Sequence, residues 1–398
     1  MKFTGGIRGF VECTESPERV LDPKLQWCDY MAVAIGDGLK STVIGTVDTI
    51  SDLVSLGAIE REWDAAHCAD PLATVFTSSA WLRGRLSAMT DPWCVLVARP
   101  GTGEPVVGLL PLRFLPASPA ERIWWEAEQV SSVAGASVRG LGMAGSPLAD
   151  YTGFVCSAGY EDMALAAFAD HVQNQLEWQY LEIRDALDPR LDAFLGHFPE
   201  PLFRVERHPP TPCPFLKLND SWEAYLGTRP RKRMRREIRH DLRAIESLPG
   251  LRRTTVADDG DLQISILLEL WQGRWGSLPE PQLAQYRSVF RSCLESGCLW
   301  LDILWDRDAP ITGLLAFLDR ERRSFCFYIT GFDQRYRALS PGIVIVAHAI
   351  RDAICHGYRV FDFLRGDEPY KFSLGAELRQ TENVTILRQT DQSQKEFS

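Results

Sequence analysis

Apolar positions along this chain switch repeatedly between a helical period and an alternating one. From 51 to 67 (SDLVSLGAIEREWDAAH), Leu53, Leu56, Ile59 and Trp63 fall at helical spacing, and SSAWLRGRLSAM reads as a second short helix. WCVLVAR, the turn PGTGEP and VVGLLPLRF then predict a β-hairpin, followed by a helix over 160–176 and the strand QYLEIRD. The second half predicts the same order. Helical stretches at 261–275 and 281–296 precede a hairpin made of LWLDILW, DRDAP and ITGLLAFLD. SFCFYITG is a third strand, 342–356 a helix, and YRVFDFL a final strand.

The hairpins align with each other. PVVGLLPL at 105–112 and PITGLLAF at 310–317 share Pro, Gly, Leu and Leu, and each hairpin is later followed by a helix and a strand opening on Tyr180 or Tyr358. The repeat predicts two related α/β halves, 46–210 and 211–390, joined near the Pro-rich stretch at 199–214. Residues 1–45 fit neither half and stand as an extension.

Composition narrows the class. The 398 residues are 45% apolar and 24% charged, enough for two cores. No run approaches the ~18 apolar residues of a membrane helix, and the N-terminus lacks the apolar core of a signal peptide. Ten scattered cysteines without a CxxC suit reduced thiols, so a cytoplasmic protein is expected. The seven histidines make no HxxxH, and His67-Cys68 and Cys355-His356 are too isolated for a ligand set, so no metal site is expected.

A net charge of -10 argues against general nucleic-acid binding, but Arg229 to Arg243 holds eight Lys/Arg against two acids. In that segment Met234, Ile238, Leu242 and Ile245 form an apolar stripe, with Lys232, Arg236, Arg239 and Arg243 roughly opposite. A solvated cationic face explains the pattern, and so does recruitment of a phosphorylated partner through residues such as Arg236.

Two stretches carry candidate chemistry. In QRYRALSPG, Ser340 and Pro341 open a helix as N-cap and first residue, and Gly342 allows a close backbone approach. The unpaired N–H groups of that first turn favour an anion, with Arg335 and Arg337 beside them; a capped helix with solvated arginines is the alternative. In FDFLRGDEPYKF, Asp362 alternates with apolar neighbours on a strand that ends among Arg365, Asp367, Glu368, Tyr370 and Lys371. Burial would raise the Asp362 pKa and make it a base; an Asp362–Arg365 ion pair pinning the strand end is the alternative. Tyr370 packing its ring on the rim and Lys371 as a solvated lysine are the plainer readings of those residues.

Arg337-Ala-Leu-Ser340-Pro-Gly342 resembles the Q/R-x-x-G-x-G/A pyrophosphate loop of GNAT acyltransferases, with serine in place of the first glycine. SPG, a helix and then FDFLRGDEPYK resemble the GNAT-like transferases grouped with cellulose-biosynthesis CelD proteins, relatives of the Fem peptidyltransferases with two GNAT-like halves. EREWDAAHCADPLATVFTSSAWL is similar to that group's opening, and the resemblance spans roughly 50–380. It implies an α/β (α+β) fold of two tandem GNAT-like domains, each a mixed sheet flanked by helices. It also implies an acyltransferase acting from acyl-CoA, or acyl carrier protein, on an amine or hydroxyl of a small-molecule or saccharide acceptor.

Acyl-CoA would be a co-substrate, with no cofactor bound permanently, held by Arg335, Arg337, Leu339, Ser340, Gly342 and Ile343. Asp362, Glu368 and Tyr370 would be catalytic, Tyr370 as acid for the leaving thiolate. Arg365, Asp367, Lys371, Arg236, Asp150 and Tyr151 would bind substrate. SPLADYTGF at 146–154 has no R-x-x-x-x-G, so the first half would be a degenerate half on the acceptor side. A Fem-like transferase using aminoacyl-tRNA and a non-catalytic scaffold in a polysaccharide or biosynthetic assembly are the alternatives.

Overall fold

The computed structural model describes residues 45–115, 140–256 and 259–389, so the extension expected over 1–45 falls almost wholly outside them. The first half runs β1 (Thr46–Ile50), α1 (Leu53–Ala58), α2 (Glu60–Ala69), α3 (Ser79–Ser87), β2 (Trp93–Arg99) and β3 (Gly108–Leu115). It continues with β4 (Gly140–Met143), β5 (Val155–Cys156), α4 (Glu161–Gln175), β6 (Tyr180–Ala186) and α5 (Leu191–Leu195). Then come β7 (Phe203–Lys217), α6 (Trp222–Thr228), α7 (Lys232–Glu246), β8 (Leu251–Thr255), α8 (Gly260–Trp275) and α9 (Glu280–Glu295). The chain closes with β9 (Leu299–Asp306), β10 (Ala309–Asp319), β11 (Ser324–Phe332), a 3-10 turn at Gln334–Leu339, α10 (Pro341–Cys355), β12 (Val360–Asp362), α11 (Pro369–Ser373) and β13 (Glu377–Arg388).

Local chemistry sets the boundaries. The Asp52 carboxylate caps α1 by accepting from the N–H groups of Val54 and Ser55, and Ser78 caps α3 through Trp81 N–H. The single helix expected over 51–67 breaks at Ile59 (φ -100°, ψ 4°), two residues after Gly57, a poor helix former. The apolar stripe of α7 holds: Ile238, Leu242 and Ile245 are buried and Met234 packs against them.

Among the described residues all strands lie in one sheet, in the order β1-β2-β3-β4-β6-β13-β7-β12-β11-β10-β9-β8, with β5 paired to β3. The order is nearly palindromic. Outward from the β13–β7 pair, β6 matches β12, β4 matches β11, and the repeated PVVGLLPL and PITGLLAF motifs lie on the matching β3 and β10. Parallel pairing occurs between β4 and β6 and between β11 and β12, crossed by α4 and α10 respectively. The two long central strands are exchanged: β13, from the chain's end, pairs β6 of the first half, while β7 pairs β12 of the second.

The Pro-rich stretch expected as a joint is therefore a central strand. Its prolines cannot donate, which normally keeps proline off such positions. Here they accept instead: Phe363 N–H donates to Pro214 O, Gly366 N–H to Pro212 O, and the Asn383 side chain to Pro209 O. A register shift at Thr381/Asn383 absorbs the irregularity.

Three apolar clusters follow from the layers. One lies under α4 in the first half and another under α7 and α10 in the second. The third is shared, joining Trp63, Phe76, Trp81 and Tyr151 to Phe290, Phe317 and Leu364. Burying each of these large side chains contributes about 2–3 kcal/mol. Helices α3 and α9 cross so closely at Gly84 that a Cβ there would sit 2.7 Å from Val289 Cα. The described residues form one compact unit, and no described helix is long and apolar enough to cross a membrane.

Candidate functional site

β11 and β12 pair through only three residue pairs, ending at Cys326 and Asp362. Beyond that point β11 continues to Phe332, while the chain after β12 bends away at Leu364 (φ 57°). Phe361 stacks on Phe325 at 5.2 Å across the rung before the last. The parting of these parallel strands leaves a gap in the ladder at their C-terminal ends, where sheets of this kind bind ligands.

The inner wall of the gap is a buried polar network joining the halves. Asp362 is 2% exposed and accepts from Tyr151 Oη at 2.9 and 3.1 Å, from Leu364 N–H at 2.9 Å, and from Arg379 of β13. Burial pushes its carboxyl up, and Arg379 opposes the rise. Arg365 does not pair with Asp362. It turns to the first half, donating to Asp150, to Asp185 at 2.9 Å and to Pro147 O at 2.8 Å. Burial raises the Asp150 carboxyl too, against the pull of Arg365.

These partners correct three expectations. Asp362 already accepts from three donor groups and is not presented to a cleft surface, so it holds Tyr151 and Arg379 rather than standing free as a base. Arg365, Asp150 and Tyr151 do come together across the halves, but Arg365 is spent on Asp150 and Tyr151 on Asp362 and Arg379. Lys371 is 3% exposed and spends its ammonium on Arg365 O (2.7 Å), Gly366 O (3.0 Å) and Glu368 (2.8 Å), so it pins the loop instead of meeting substrate.

The accessible groups sit on the outer rim. Asp367 and Glu368 are exposed. Tyr370 lies in α11, its ring edge-on to Phe363 at 6.3 Å. Burial, and then the Glu368 carboxylate, push its hydroxyl pKa upward, so the proton stays on at neutral pH. Arg274 opposes that shift, which places a cation near the same hydroxyl. The Arg274 guanidinium also lies over the rings of Trp275 (4.8 Å) and Phe332 (5.2 Å), and Trp275 is 61% exposed. Sequence reasoning missed Arg274, Trp275 and Arg379. An Arg-Trp pair at the end of an apolar helix was the one signal for the first two.

The 3-10 turn and α10 form the other rim. Ser340 adopts left-handed backbone (φ 49°, ψ 45°) and makes no side-chain cap, contrary to the N-cap expected of it. That conformation is the one glycine adopts without cost, which accounts for the glycine at this place in the resembled loop. A Cβ added at Gly342 would meet only the Phe332 ring at 3.7–3.8 Å, so the helix start is open. Arg337 is exposed, Arg335 is held by Asp333, and Leu339 and Ile343 pack into the core below. Arg236 is exposed on the outer face of α7, which packs beside α10 and the 3-10 turn.

Residues 232–372 match the family model described as an acetyltransferase (GNAT) domain. Among solved structures, FemX superposes with a TM-score of 0.58 at 13% identity, covering 88% of this chain and 99% of that one. The C-terminal domain of a putative lysylphosphatidylglycerol synthetase from Agrobacterium fabrum gives a TM-score of 0.50 at 8% identity, over 85% of this chain and 94% of that one. No curated protein matches the chain in sequence. The fold is that of the GNAT superfamily in its Fem-like form.

Proposed function

We propose that this chain, on the premise of its GNAT-superfamily, Fem-like fold, transfers an acyl group from the thioester of acyl-CoA, or of an acyl carrier protein, to an amine or hydroxyl of a small-molecule or saccharide acceptor. One observation carries the reading: α10 starts at an open Gly342, with only the Phe332 ring near it, beside exposed Arg337. Helix N–H groups and an arginine there suit the diphosphate of a CoA donor. The donor would lie with its diphosphate on Ser340, Gly342 and Arg337 and its thioester between the parted strands.

Glu368, exposed and close enough to raise the Tyr370 pKa, would take the proton of the acceptor amine or hydroxyl as it attacks. The acyl–sulfur bond then breaks, and the departing thiolate takes the proton of Tyr370. Free backbone N–H groups along the outer edge of β11 beyond Cys326 would stabilise the oxyanion. The buried Tyr151–Asp362–Arg379 group holds the wall against which the acceptor sits.

The test is calorimetric titration of CoA and acetyl-CoA into the wild type and Arg337→Ala. Micromolar binding that is lost in the variant supports the reading; absence of binding to the wild type overturns CoA as the donor and leaves a carrier-protein thioester to be titrated next. Tyr370→Phe is expected to slow turnover by about 10²-fold or more with donor affinity unchanged. Full turnover in that variant would remove Tyr370 from the mechanism.

A second donor class, aminoacyl-tRNA, rests on the exposed Lys232, Arg236, Arg239 and Arg243 of α7, beside the same helix start. Binding of an acceptor-stem RNA with a steep salt dependence, in place of CoA, would favour it.

A further inference from the structure

Helix α9 ends in a cap that sets two thiols side by side, away from the gap. Gly297 follows the helix with φ 70°, its N–H donating to Leu294 O at 3.0 Å, and Cys298 N–H donates to Cys293 O at 2.9 Å. This pair of bonds defines a Schellman motif, in which the residues at the places of Cys293 and Cys298 touch through their side chains. Cys293 lies in the apolar cluster shared by the halves, and Cys298 packs against that cluster.

The two thiols differ in what surrounds them. Cys293 is fully buried in the core shared by the halves, and its thiol is pushed well up by burial. Cys298 is partly exposed, and the neighbouring Cys293 thiol draws its own thiol pKa down against the effect of burial. Arg320 adds to that lowering and is held close by donating to Gly297 O at 2.8 Å; Glu321 acts the other way. A thiol with thiolate character, partial exposure and a second thiol at its side has the attributes of a redox-reactive cysteine with a resolving partner.

We propose that Cys298 is a peroxide-reactive thiol and that Cys293 resolves it into a reversible intramolecular disulfide. The Cys298 sulfur attacks one peroxide oxygen, the O–O bond breaks, and water leaves a sulfenic acid on Cys298. The Cys293 sulfur then attacks Cys298, the S–O bond breaks, and a second water departs. Two thiols lose two electrons and two protons, and the peroxide is reduced to two waters. The bond would clamp the C-terminus of α9, the helix that carries Tyr286 and Phe290 into the aromatic cluster around Tyr328.

Both cysteines fall on one tryptic peptide, Ser292 to Arg307, which holds no other cysteine. The full-length protein treated with stoichiometric hydrogen peroxide should yield this peptide lighter by two hydrogens, with the mass restored by dithiothreitol. In Cys293→Ala, dimedone should trap a sulfenic acid on Cys298. In Cys298→Ala, Cys293 should stay reduced, and Arg320→Gln should slow the oxidation severalfold. Exposed Cys355 serves as the internal control for dose. Oxidation of Cys355 while Ser292–Arg307 keeps its reduced mass overturns the proposal, as does dimedone labelling of Cys293 ahead of Cys298. Should Cys293→Ala fail to fold, the peptide mass in the wild type and in Cys298→Ala decides alone.

Discussion

The crossover helices α4 and α10 occupy matching places in a palindromic sheet, yet they begin with opposite chemistry. The first turn of α4 carries Glu161 and Asp162, and Glu161 folds back to accept from Gly159 N–H at 2.7 Å. The helix start is thus already supplied with negative charge, and an incoming phosphate would be repelled. The first turn of α10 has no acid and opens at Gly342 beside Arg337. On the proposed reading, one scaffold used twice offers a donor site once. The first half instead lends Asp150, Tyr151 and Asp185 to the wall of the second half's gap, held by Arg365 and Arg379. The exchange of β7 and β13 makes that loan possible, because each half completes its sheet with the other's strand.

The largest expected effect comes from breaking this junction. Arg379→Met leaves Asp362 buried without its cation and should cost about 3–5 kcal/mol in urea unfolding. Arg207→Met, at the far end of the same strand pair, removes ion pairs to Glu382 and Asp192 that are about half exposed, and should cost under about 1 kcal/mol. Equal costs would mean that the network does not join the halves.

Acid offers a second contrast. His67 in the first half and His348 in the second are buried, and burial lowers their pKa values to about 4 and about 3. At pH 7.5 neither the folded nor the unfolded chain protonates them, so they leave stability unchanged. As pH falls below ~6.5 the unfolded chain binds protons that the folded chain refuses, and stability drops. By pH 5 each should cost about 2 kcal/mol, checked by unfolding the wild type across this range. His348→Asn should flatten the slope by about half, and an unaltered slope would place that histidine in contact with water.

Gly342→Val should weaken CoA binding at least about tenfold, near 1.4 kcal/mol, while the fold survives, since only the Phe332 ring lies near. Glu161→Gln in the first half should leave affinity and stoichiometry unchanged. A second bound CoA in that variant would mean that charge alone separates the halves. The smallest effect is expected of Ser340→Gly, which relieves left-handed backbone on a residue with a Cβ and should stabilise by about 1 kcal/mol.

The duplication was legible because PVVGLLPL and PITGLLAF keep the apolar face and the glycine of matching strands, β3 and β10. The open helix start was legible because SPG is a local signal. Local patterns failed where the third dimension decides. HPPTPCP looks like a linker, but its proline carbonyls accept hydrogen bonds while His208, Thr211 and Cys213 keep it in register at the sheet's centre. Arg379 lies 17 residues past Asp362 and reaches it only because a single strand, β7, lies between β12 and β13. Lys371 reads as a surface lysine, and no residue near it in sequence shows that Arg365 O and Gly366 O will enclose it. Asp150 and Tyr151 were picked out through resemblance, although their partners were not.

The difference between the halves is tested most directly by hydrogen–deuterium exchange of the wild type with and without saturating CoA. Protection confined to residues around 334–345, with none at 157–165, is expected if α10 alone takes the donor. Protection at the start of α4, or at both helices equally, would contradict the division of the sheet into a donor half and a supporting half.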